Sequence, residues 1–146
     1  MLSDDAILGT THPAPERSKV SLWSLSFSLA APPLAWSLQS IAGYGISSEA
    51  CYPGDTPRNV PLFSGMWDLL LVLNVAALVI GVIAISVAYR NWNATRAETD
   101  GDSRNLIERG EGRTRFVAMW GLLLGSGFVL ATVFSSVALL ISPLCR

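Results

Sequence analysis

Leu69 to Ala88 reads LLLVLNVAALVIGVIAISVA, an uncharged run of about 20 residues, the length an α-helix needs to cross the hydrocarbon core of a bilayer. Within it Ala77, Gly81, Ala84 and Ala88 recur at steps of four and three. That spacing puts small residues on one helix face and leaves Leu, Val and Ile for the others, so a second helix is expected against the small face, where backbones approach closely in lipid. Asn74 is the one amide in the run, and its partner is expected on a neighbouring helix.

Working outward, a second apolar run covers 116–141, FVAMWGLLLGSGFVLATVFSSVALLI, again long enough to cross with some tilt. Gly121 and Gly125 form a GxxxG pair in it, continued by Thr132 and Ser136. Packing on the small face of the preceding span explains this pair better than homodimerisation does. Upstream, Val20 to Ile46 is also long enough, but it carries Pro32-Pro33, Gln39, Tyr44 and several serines. It reads as a proline-broken, kinked helix whose polar groups face the bundle. Ser21, Ser24 and Ser28 share one face there, while Gln39 and Tyr44 supply intramembrane polar contacts. A cleaved signal peptide is the rival reading, with Arg17 and Lys19 as its basic region and Ser28-Leu29-Ala30 as its cleavage site. The proline pair beyond that site and the apolar run continuing to Ile46 favour an uncleaved span.

The expected fold is therefore all-α, an integral membrane bundle of three transmembrane helices spanning about 20–46, 69–89 and 116–141. A disordered cytoplasmic tail, 1–19, precedes a membrane domain, 20–146. The chain of 146 residues is 51% hydrophobic, which leaves no room for a separate soluble domain of useful size.

Charge sets the expected orientation. The segment 90–115 holds Arg90, Arg96, Arg104, Arg109, Arg113 and Arg115, whereas the loop 48–68 has only Arg58 and several prolines. By the positive-inside rule the arginine-rich loop is cytoplasmic and the proline-rich loop lies outside, with Phe63 and Trp67 at headgroup level. Arg90, Trp92, Arg113 and Arg115 are read as membrane-surface anchors. The interleaved Glu98, Asp100, Asp102, Glu108 and Glu111 weaken attraction to phosphate, so no nucleic-acid partner is expected. Asn105 with Glu108 has capping-box spacing. Asp68 can favour the start of its helix. Asn93-Ala94-Thr95 fits the glycosylation pattern by chance on the cytoplasmic side.

With the loop 90–115 inside, Cys51 and Cys145 both fall on the outer side, in an oxidising compartment. A disulfide between them is expected. The lack of a Cys-x-x-Cys pair argues against the alternative, a membrane thiol oxidoreductase. The single histidine, His12, lies in the polar tail, which provides no in-membrane imidazole pair for haem and no copper set. No catalytic constellation is visible, so neither enzymatic activity nor a cofactor or metal is expected.

Several local words carry a resemblance. They are Pro33-Leu34-Ala35-Trp36 with Tyr44 and Cys51, Arg90-Asn91-Trp92, Gly110-Glu111-Gly112-Arg113-Thr114-Arg115-Phe116, and Pro143-Leu144-Cys145. Together they resemble small uncharacterised inner-membrane proteins of proteobacteria, some associated with cytochrome c oxidase-type terminal oxidases. The resemblance implies the bacterial inner membrane, where the charge-based orientation puts the N-terminus in the cytoplasm and the C-terminus in the periplasm. The missing catalytic set and the small-residue faces point to a non-catalytic accessory or assembly partner of a larger complex; the resemblance points to a respiratory oxidase as that complex and assigns no chemistry to any residue. The alternative is a small oligomeric transporter or channel with Ser24, Gln39 and Tyr44 lining water.

Overall fold

The computed structural model describes residues 19–95, 113–142 and 145. The tail with His12, the Asn105–Glu108 box and the charges between 96 and 112 lie outside the described residues, as does the side chain of Arg113. Three long helices make up the described chain: α1, Leu22–Cys51; α2, Met66–Ala94; and α3, Arg113–Ile141. A short 3₁₀ turn, Pro53–Asp55, follows α1. No strand occurs among the described residues. α2 and α3 are each long and apolar enough to cross a membrane, and α1 falls short of that apolarity.

The segment expected to break at the proline pair is one uninterrupted helix, with Pro32 and Pro33 inside it. Two missing N–H groups remove local hydrogen bonds, but the turns on either side continue. Pro32 is buried, and its Cγ lies 3.8 Å from the point where a Cβ on Gly125 would sit. The ring thus sits within ordinary van der Waals reach of Gly125, whose Cβ position is crowded by Ile85 of α2. α1 also runs past the expected end at Ile46 as far as Cys51, so the connection to α2 is shorter than the 48–68 loop read from composition.

On α2 the buried residues are Met66, Leu70, Asn74, Ala77, Gly81, Ala84, Ala88 and Asn91. They recur at steps of four and three, the seam of a left-handed bundle. Thr114, Ala118, Gly121, Gly125 and Thr132 are buried along α3 in the same rhythm. Both seams are small where they meet: a Cβ on Gly121 would stand 3.3 Å from that of Ala88, and one on Gly125 2.7 Å from Ile85 Cγ1. Consecutive helices are antiparallel. One end of the bundle gathers Ala50, Cys51, Met66 and Leu70 with Ile46, Leu139 and Cys145. At the opposite end Val20, Leu25 and Ala118 pack with Trp92 and Val117.

The large apolar side chains mostly face outward. Val72, Val79 and Ile83 of α2 and Leu123, Leu130 and Phe134 of α3 are all exposed, Phe134 to 72%. A core helix of a soluble protein hides such residues, whereas a helix surrounded by lipid presents them.

Candidate functional site

Polar chemistry concentrates at two levels of the bundle. At the inner end of the Cys51 half, each helix contributes one polar side chain to a shared junction. Gln39 Nε2 of α1 donates to Asn74 Oδ1 of α2 at 3.2 Å, and Ser136 Oγ of α3 stands 3.2 Å from the same oxygen, its shorter bond, 2.8 Å, being to the Thr132 carbonyl. Asn74 Nδ2 in turn donates to the Leu70 carbonyl, 2.9 Å away. Gln39 and Asn74 are 9% and 5% exposed, so each bond has little competition from water.

Between this junction and the end of the bundle lies an open cavity of about 410 Å³. Its walls mix Ser40, Ser47, Ser135 and Ser142 with Met66, Leu70 and Leu139, and Tyr44 stands at its edge, 79% exposed. The disulfide Cys51–Cys145 belongs to the same lining, with Cα atoms 5.0 Å apart and a separation of 94 positions in sequence. Cys51 is the last residue of α1, and the following loop folds back on it. Arg58 N donates to the Cys51 carbonyl at 2.9 Å and Leu62 N to that of Ala50 at 3.0 Å, which satisfies carbonyls a helix end otherwise leaves open. A second, mostly apolar groove of about 390 Å³ runs on the far side of this loop, between Ile46, Glu49, Leu62 and Phe63.

The other level lies near the Trp92 end. Ser24 Oγ donates to Asn91 Oδ1 at 2.8 Å, joining α1 to α2. Thr95 is fully buried and donates its hydroxyl back to the Asn91 carbonyl, which closes the last turn of α2. The Arg115 guanidinium lies 5.4 Å from the centre of the Trp92 ring, a cation–π distance. Arg90 is exposed, and Arg113 opens α3. Ser28 faces Gly121, whose Cβ would meet its hydroxyl at 3.2 Å, while Ser21 stays exposed ahead of α1.

Searches of family models, curated proteins and solved structures find no match to this chain. Geometry alone therefore characterises the site. Among the described residues, no group of three or more His, Cys, Asp or Glu side chains is placed to hold a metal ion. Of the residues read from sequence, Gln39, Tyr44, Asn74, Cys51 and Cys145 come together around the cavity. Ala77, Gly81, Ala84, Ala88, Gly121 and Gly125 lie below it as the close-packed seam. Sequence reasoning did not assign Ser136 a polar contact, although it lies four residues from Thr132 on the small face of α3. It also missed Asn91, which is in the α2 seam but reads as loop by composition. Trp36 against Phe128, with ring centres 5.6 Å apart, has no periodic signal at all.

Proposed function

We propose that this chain is a three-span protein of the bacterial inner membrane, N-terminus in the cytoplasm and C-terminus in the periplasm. It serves there as a non-catalytic accessory or assembly partner of a larger complex, with a respiratory terminal oxidase as the leading candidate. The observation that carries the reading is the outward side of α1. There Trp23, Leu34 and Ile41 are exposed together with Ser26, Ala30 and Gly45. An exposed face of large apolar residues interrupted by small ones suits close approach by another helix in lipid, where packing rather than hydrophobicity drives association. The outward apolar residues of α2 and α3 support the lipid setting, and the arginine-rich loop supports the orientation. The oxidase itself rests on the local resemblance described above.

Affinity purification of a C-terminally tagged chain from native membranes in mild detergent, with haem absorbance and mass spectrometry, tests this. The expected result is recovery of oxidase subunits with haem: stoichiometric amounts mark an accessory subunit, and substoichiometric immature subunits an assembly factor. A homo-oligomer without companions would sink the reading. It would bring forward a small oligomeric transporter, the second reading, which the open polar cavity favours.

A further inference from the structure

The groove between the end of α1 and the returning loop joins two surfaces that differ in kind. Ile46, Ala50, Leu62, Phe63 and Leu69 give it apolar walls. Leu69 opens the uncharged run of α2, so one wall starts at the level where the hydrocarbon of a bilayer starts. Glu49, in the last turn of α1, is the one charged side chain of the lining among the described residues. It is exposed, and among the described residues its carboxylate has no ion pair and no side-chain hydrogen bond.

An apolar chain that ends in a cationic donor complements both surfaces at once. We infer that this groove holds an acyl chain of an aminophospholipid, of the phosphatidylethanolamine type, with the primary ammonium of its headgroup donating to the Glu49 carboxylate. A choline headgroup has the positive charge but no N–H to donate, and a headgroup of net negative charge is repelled by the carboxylate. The volume of about 390 Å³ lies in the range of small-molecule sites. The inference rests on the membrane reading of the chain and is independent of the partner proposed for it.

Lipid retention provides the test. The full chain is placed in nanodiscs made from equal amounts of phosphatidylethanolamine, phosphatidylcholine and phosphatidylglycerol with matched acyl chains, then released and weighed by native mass spectrometry. A retained phosphatidylethanolamine is expected, favoured about threefold over phosphatidylcholine, the size of an exposed charged contact, and more strongly over phosphatidylglycerol. Glu49→Gln is expected to bring the ethanolamine-to-choline ratio to one, whereas Asp68→Asn, outside the groove lining, keeps the preference. Gly45 lines the groove, and nothing lies within 4 Å of its Cβ position. Gly45→Leu therefore fills the groove without a clash at Cβ and should remove the retained lipid. Equal retention of the three lipids, a preference for phosphatidylglycerol, or a preference that survives Glu49→Gln overturns the inference and leaves the membrane reading standing. Retention that survives Gly45→Leu does the same, as does a lipid-free dimer, which would make a second copy the occupant. A chain that does not enter the nanodiscs overturns the membrane reading and this inference with it.

Discussion

At Gly81 any other residue would place a Cβ 2.6 Å from Val129 Cγ2, and a β-branched side chain inside a helix has little freedom to turn away. Gly81→Ala is expected to cost about 1–3 kcal/mol, measured by denaturant titration of the protein in detergent. Gly127 is the contrast, because nothing lies within 4 Å of its Cβ position. Gly127→Ala should leave stability unchanged or raise it by about 0.5–1 kcal/mol through helix propensity. Asn74→Leu removes the Gln39 bond that joins α1 to α2 and should cost about 1–2 kcal/mol. The Gln39→Leu, Asn74→Leu double variant should cost less than the sum of the single ones, since it no longer strands the Gln39 donor. Spacing alone made the small seam of α2 readable, because small residues three and four apart can serve little else in an apolar helix. The shared oxygen at Asn74 was not readable. Which partners reach it depends on how three helices are rotated about their axes, and no single sequence window carries that.

Among the elements, α1 departs most from local rules. A proline pair ordinarily ends a helix, yet α1 passes through it, with Pro32 buried in the bundle beside Gly125 of α3. Local propensity gives way here to packing between helices, which also hid the true end of the helix at Cys51. The disulfide was legible earlier, because two helices between the cysteines bring them to one end of the bundle, and the arginine count points that end to the oxidising side. Its 94-residue separation sets an upper bound of about 4–5 kcal/mol in the chain-entropy model. The paired Cys51→Ser and Cys145→Ser variant should therefore melt at a lower temperature than the oxidised protein, and reductant should lower the melting temperature of the parent but not of the variant. Scans with and without reductant, beside gel mobility under non-reducing conditions, check both points.

For the whole molecule, the all-helical architecture followed from three long apolar runs, whereas crossing by α1 is a proposal that its weaker apolarity leaves to experiment. Single cysteines placed in the variant lacking the disulfide report it directly. Ser64→Cys in the α1–α2 connection should react with an impermeant maleimide on intact spheroplasts, and Ser18→Cys ahead of α1 and Ser103→Cys in the arginine-rich loop only after permeabilisation. Labelling of Ser18→Cys from the same side as Ser64→Cys would mean that α1 does not cross, and the same result for Ser103→Cys that α2 does not. The covalent link has one more implication, which concerns time rather than stability. Cys145 is synthesised after α3, so Cys51 keeps a free thiol until the third helix has been made and brought back beside the end of the first. Closure of the bridge is then a chemical record that all three helices have met, and a thiol probe applied during synthesis would read how far each chain has progressed.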